Sequence, residues 1–94
     1  MAKDSPPTDD QIKVMIVDDH PLVRVGLTTI VNQQADMRIV ATTESGAHAP
    51  AVFRLHRPDV TLMDLRLNGE SGVRVTSAIC DDFPTARILM LSNY

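Results

Sequence analysis

A doubly wound α/β domain with a parallel sheet is the fold this sequence predicts, and three observations carry that expectation. Four short apolar runs of strand length recur at intervals of roughly one helix of 10 to 15 residues, the spacing of βαβ units with right-handed crossovers. The segments between them carry helix-start and helix-stop residues. Two of the runs end on acids: Val14-Met15-Ile16-Val17 leads into Asp18 and Asp19, and Val60-Thr61-Leu62-Met63 leads into Asp64. Open α/β sheets bind their ligands just outside the carboxyl ends of the strands. Asp64 is therefore a candidate site residue by position.

Residues 12–17 are almost continuously apolar, as a central strand covered on both faces requires. Pro21 suits the first helical turn, where no backbone donor is needed, and Leu22, Val25, Thr29 and Ile30 then recur at helical spacing to near Gln33. That puts Asp18 and Asp19 in a strand-to-helix turn. Arg38-Ile39-Val40-Ala41-Thr42 is short and rich in β-branched residues, and forms the second predicted strand. In the next helix Ser45 is the candidate cap and Ala51, Val52 and Leu55 the candidate inner face. Pro50 lacks the N–H of an interior turn, so this helix either starts late or has a distorted first turn. Arg57-Pro58-Asp59 leads into a third strand over residues 59–63. Asn68-Gly69-Glu70-Ser71-Gly72 is a loop by composition, and Ser71 caps a helix through Val73, Val75, Ala78 and Ile79 to about Asp82. Phe83-Pro84 ends it. Residues 87–91 form the fourth strand, which ends on Ser92.

The 94-residue length allows one small domain, and the composition of 44% hydrophobic and 22% charged residues is that of an ordinary globular protein. With no Trp, one Tyr and two Phe the core has to be aliphatic. Met15, Met63 and Met90 fall inside strands and read as part of it. A net charge of -3 argues against nucleic-acid contact through this segment, since phosphate contacts need a basic face. The arginines are scattered, as on a solvated surface. A single cysteine, Cys80, makes no internal disulfide and fits a reducing, cytoplasmic setting. Met1 to Asp10 is polar and proline-containing with no secretory h-region, and residues 1–11 read as a disordered lead to a domain over 12–94. No apolar run approaches the roughly 18 residues of a membrane span. Gly69 and Gly72 match neither a P-loop nor a dinucleotide fingerprint.

If the first and third strands are parallel neighbours, Asp18, Asp19 and Asp64 meet in one crevice. Three such carboxylates repel, so either a cation sits between them or one keeps a proton, and a divalent metal site is the economical reading. Taken alone, Asp18-Asp19 reads as a solvated turn. His20 reads as a helix-start residue rather than a ligand, because no histidine pair has metal-ligand spacing.

Together these residues resemble the receiver domain of bacterial two-component response regulators. Asp18-Asp19-His20-Pro21-Leu22-Val23-Arg24 with Gly26-Leu27 looks like the opening of the NarL/FixJ (LuxR-type) subfamily, and Arg57-Pro58-Asp59-Val60, Leu62-Met63-Asp64 and Gly69-Glu70-Ser71-Gly72 look like its middle. The resemblance implies a flavodoxin-like sheet and a phosphoacceptor role for Asp64. It implies Mg²⁺ held by Asp18, Asp19, Asp64 and the backbone carbonyl of Arg66, and a switch hydroxyl at Ser92. A sensor histidine kinase is the implied partner, with transcriptional output through a helix-turn-helix DNA-binding domain that lies outside this chain. Asn68 stands where the family commonly has proline.

By the same resemblance the chain is expected to be truncated after the fourth strand, so that the last α-β-α, with its lysine and aromatic switch residue, is missing. An uncovered strand edge would then favour a homodimer through edge pairing or domain exchange. Two other functions fit a nucleophilic aspartate after a strand less well. A haloacid-dehalogenase-type phosphotransferase wants a second acid two residues on, where Arg66 stands, and an interaction module that keeps only the fold would not be phosphorylated at all.

Overall fold

The computed structural model describes residues 10–91. Strand β1 (Ile12–Val17) leads into helix α1 (Pro21–Asn32), strand β2 (Met37–Thr43), helix α2 (Ala49–His56) and strand β3 (Val60–Asp64). A short ribbon of β4 (Arg66–Leu67) and β5 (Glu70–Ser71) precedes helix α3 (Gly72–Asp82) and strand β6 (Ile88–Leu91). The four long strands form one parallel sheet in the order β2-β1-β3-β6. This is the expected doubly wound, flavodoxin-like arrangement, with β1 and β3 adjacent at its centre.

Alternation along β1 divides the core. Met15 and Val17 join Met63 of β3 and Ala49, Phe53, Val75 and Ile79 of α2 and α3 in one buried cluster. Val14 and Ile16 have the opposite parity and are also buried, on the side where α1 packs against β1 and β2. Both faces of the central strand are thus covered, which is why its sequence is apolar without alternation. At the amino-terminal ends of the strands, Phe53 meets Phe83 with ring centroids 4.9 Å apart, and the Arg57 guanidinium lies 4.3 Å above the Phe83 ring.

The helix faces differ from those expected. On α1 Leu22 (86% exposed), Val25 and Ile30 point outward, and Val31 is the buried residue. Helix α1 is apolar over most of its circumference, so periodicity alone does not select its inner side. On α2 the inward residues are Ala49, Val52 and Phe53, whereas Ala51 and Leu55 are exposed. That helix starts late: Pro50 sits in its first turn, and Ser45 is not the cap but accepts a hydrogen bond from the His48 amide (3.3 Å). On α3 the buried face is Gly72, Val75 and Ile79, while Val73 and Ala78 lie outside it. The loop expected at 68–72 is tighter than composition suggested. Arg66 pairs with Ser71 and Leu67 with Glu70 around a turn in which Gly69 takes φ 78°, a left-handed conformation that glycine adopts without strain. Cys80 is half-buried on α3.

Ile79 anchors α3 to the core. Ile79→Ala should lower unfolding stability by about 2–5 kcal/mol, whereas Val73→Ala on the exposed face of the same helix should stay within about 0.5 kcal/mol. Equal urea midpoints for the two variants would contradict this packing.

Candidate metal centre

Register brings the acids together. Val17 pairs with Met63 across β1 and β3, so Asp18 and Asp64 emerge side by side where the two strands end. Ligand atoms of Asp18, Asp19, His20 and Asp64 all lie within 4.8 Å of one another. Asp18 and Asp64 are buried, and Asp64 is only 1% exposed.

The two buried carboxylates are fixed by the turns that carry them. Asp18 Oδ1 accepts a hydrogen bond from the His20 amide at 2.8 Å, and Asp64 Oδ1 accepts one from the Arg66 amide at 3.2 Å. Arg24 reaches back from α1 and donates from Nη1 to the Asp18 carbonyl oxygen at 2.8 Å, tying the first helical turn to the end of β1. Behind Asp64, α3 begins so close that a Cβ on Gly72 would overlap the Asp64 carbonyl oxygen. The Gly72 amide donates to Leu65 O (2.9 Å), and the Ser71 hydroxyl caps the helix by accepting from Val73 N, as expected. Only glycine lets α3 start here.

Asp64 Oδ2 and Asp19 Oδ1 are buried and accept no hydrogen bond. The His20 ring comes close to both. Its Nδ1 lies 2.9 Å from Asp18 Oδ1, 3.1 Å from Asp19 Oδ1 and 3.5 Å from Asp64 Oδ2. One Nδ1 hydrogen can point at one acceptor, and it serves Asp18. The other two oxygens are left without a donor, so the pocket suits a cation that several hard oxygens can share. The adjoining cavity, about 350 Å³, is lined by Asp19, His20, Asp64 and the backbone and side chains from Leu65 to Gly69.

Of the residues expected at the site, Asp18, Asp19 and Asp64 are brought together and Arg66 lines the same cavity, its side chain exposed. Ser92 lies outside the described residues, although Leu91 just before it pairs with Asp64. His20 is indeed the residue that starts α1. What its position in the sequence did not reveal is that the ring folds back over the acids. The close approach at Gly72 was likewise invisible, since composition marked it only as part of a loop.

The hydrogen bond to Asp18, helped by the charges of Asp19, Asp18 and Asp64 and partly opposed by desolvation, raises the His20 pKa above the ordinary histidine value. A raised folded-state pKa stabilises the fold fully below the unfolded value, and that contribution fades as pH climbs through the folded one. In metal-free protein an NMR titration should find the His20 ring titrating above the ordinary histidine value. A midpoint at or below that value would rule out this contact in solution. Gly72→Ala should cost about 1–3 kcal/mol in a denaturant melt, because the overlap forces α3 away from Asp64; a neutral result would mean that the helix start can shift freely.

Comparison with known proteins agrees with this geometry. The sequence model for the response regulator receiver domain matches residues 14–94. The chain is 45% identical over 84 residues to the oxygen regulatory protein NreC of Staphylococcus haemolyticus (strain JCSC1435) and, at the same identity, to that of Staphylococcus aureus (strain JH9), covering 88% of this chain and 39% of each relative. It therefore spans about two fifths of the length of the curated relatives it matches. Among solved structures it resembles a LuxR-family two-component response regulator from Aurantimonas sp. SI85-9A1, with a TM-score of 0.85, 32% identity, and coverage of 89% of this chain and 60% of that one. The response regulator domain of Thermotoga maritima CheB gives a TM-score of 0.81 at 29% identity, covering 87% of this chain and 60% of that one. With acids gathered at the ends of β1 and β3, and with a family match over nearly every described residue, this chain belongs to the response regulator receiver domains of two-component systems, among relatives of the LuxR type.

Proposed function

We propose that the chain is a phosphoacceptor receiver, phosphorylated on Asp64 in a Mg²⁺-dependent reaction that controls a transcriptional output domain. The observation that carries this reading is the Asp64 carboxylate itself: almost wholly buried at a parallel-strand end, with Oδ1 tied to the Arg66 amide and Oδ2 lacking any donor. That leaves one oxygen oriented by the turn and one available for chemistry. An Asp64 oxygen attacks the phosphorus of a phosphohistidine on a sensor histidine kinase or of a small acyl phosphate. The P–N or P–O bond breaks, its electron pair leaves with the donor, and an imidazole donor takes up a proton from solvent. Asp18, Asp19, Asp64 and the Arg66 carbonyl are the residues assigned to hold Mg²⁺, which when bound would offset the charge of carboxylate and phosphoryl together.

Ser92 follows the residue paired with Asp64, and its assigned role is to donate to a phosphoryl oxygen and so distinguish the two states. The protein is assigned to the cytoplasm, where kinase and promoter are found; among the described residues no helix is long and apolar enough to cross a membrane. DNA contact is assigned to a further domain, since this segment carries a net charge of -3. A second copy is also assigned as a partner. Among the described residues β6 pairs only with β3, so one backbone edge is open beside Leu89, itself 56% exposed.

Incubation with acetyl phosphate and Mg²⁺ should add one phosphoryl mass to the wild type and none to Asp64→Asn. Asp19→Asn should slow the reaction about a hundredfold, the scale of losing one electrostatic stabiliser. Modification of Asp64→Asn to the same extent, or no modification of a chain that binds Mg²⁺, contradicts the assignment. Light scattering should show mass rising with concentration in the micromolar range, and a monomer throughout would remove the edge-paired dimer.

A further inference from the structure

Among the four side chains in the acid pocket, the histidine has no part in the reading above. We propose that His20 is a metal ligand, and that its nitrogen makes this pocket take Zn²⁺ in preference to Mg²⁺. The inference rests on the cation reading of the same pocket and adds a donor to it.

The geometry is that of a coordination site already half assembled. Neighbouring ligand atoms around an octahedral cation with bonds of about 2.1 Å sit about 3.0 Å apart, and around a tetrahedral one about 3.4 Å apart. His20 Nδ1 stands 2.9, 3.1 and 3.5 Å from one oxygen each of Asp18, Asp19 and Asp64. Nδ1 therefore already stands at ligand-to-ligand spacing from one oxygen of each acid, and a single cation touches all four residues once the widest pair, within 4.8 Å, draws in. The second, independent indication is Asp64 Oδ2, buried, aimed into the cluster and without a donor.

In metal-free protein Nδ1 carries the hydrogen given to Asp18; with a cation bound, the ring keeps its hydrogen on Nε2 and offers the Nδ1 lone pair. The ring is half exposed, with 49% of the side chain accessible, so the site opens to solvent on the histidine side. Restriction of the ring costs little, because Pro21 and the His20 amide contact with Asp18 already fix its backbone.

Donor chemistry then decides the metal. Mg²⁺ takes oxygen ligands, keeps several waters and gains little from imidazole, whereas Zn²⁺ readily combines imidazole with carboxylate in a compact four-ligand shell. Three carboxylates with one imidazole supply that shell from protein atoms alone. Because all four ligands come from the protein, a Zn²⁺ shell closed by them leaves no position for a phosphoryl oxygen, whereas Mg²⁺ with its waters keeps one. The pocket would then be held shut to phosphoryl transfer by a cation that receivers without a histidine at this position have less means of retaining.

Calorimetric titration of the 94-residue chain with Zn²⁺ and with Mg²⁺ tests this, using wild type, His20→Gln, Asp19→Asn and the double variant His48→Gln/His56→Gln. The wild type should bind Zn²⁺ at least about a hundredfold more tightly than Mg²⁺. His20→Gln should weaken Zn²⁺ by about tenfold or more and leave Mg²⁺ unchanged or tighter, which also reports that the variant is folded. The exposed-histidine double variant should behave as wild type. As a second readout, Co²⁺ should give a visible spectrum that changes on His20→Gln. If His20→Gln holds Zn²⁺ as tightly as wild type while Asp19→Asn loses both metals, the cation site stands and His20 is not a ligand. Zn²⁺ binding lost with the His48 and His56 replacements places the metal elsewhere and overturns the proposal. If Asp19→Asn affects neither metal, the cation reading of the pocket falls and this inference with it.

Discussion

The parallel pairing of β1 with β3 is the constraint on which the molecule turns. Neighbouring strands run about 4.8 Å apart, so two residues that leave the sheet at matching positions keep that spacing. Val17 opposite Met63 sets those positions for Asp18 and Asp64. A slip of one residue would do more than separate the acids. It would turn Met15 and Val17 out of the cluster they share with Met63, Phe53 and Ile79, because side chains alternate faces with a period of two. The apolar core and the acid pocket are specified by the same register, and neither can be lost alone.

Holding carboxylates at that spacing under cover is costly, and local backbone meets part of the cost. The His20 and Arg66 amides each bind one oxygen of the acid two residues before, and Arg24 secures the carbonyl of Asp18. These contacts orient the carboxylates without saturating them, for Asp19 Oδ1 and Asp64 Oδ2 still lack donors. A site with every oxygen satisfied internally would be more stable and would offer nothing to a cation. Gly72 belongs to the same compromise. By letting α3 start against the Asp64 carbonyl, it packs the back of Asp64 while the front stays open.

Strand-level features were legible in the sequence because burial on both faces leaves a plain signature. Runs such as residues 12–17 and 60–63 are largely apolar without alternation, and the acids that follow them mark the strand ends. Helix faces were less legible. Helix α1 carries apolar residues at Leu22, Val25, Leu27, Ile30 and Val31, and the exposed and buried ones differ only in what lies opposite. On α2 a short helix offers too few turns for Ala49 and Phe53 to stand out against Ala51 and Leu55. The β4–β5 ribbon was hidden because two-residue strands have no periodicity. His20 and Gly72 were hidden for a different reason. Each acts through a contact in space, His20 by folding its ring across a turn and Gly72 by what its missing Cβ would strike.

The sheet also sets how a change at Asp64 is felt elsewhere. β1 and β3 each have strands on both sides, whereas β6, among the described residues, is held by β3 alone. The link between Asp64 and that strand is direct: Asp64 pairs with Leu91, and the Leu65 amide donates to Leu91 O at 3.0 Å. On its other side Asp64 meets the start of α3, whose Val75 and Ile79 are anchored in the core. Asp64 is thus tied through its own backbone to two elements at once, the strand beside it and the helix behind it. Both ties follow from β3 lying between β1 and β6, so the topology that assembles the acids also joins this carboxylate to β6 and α3.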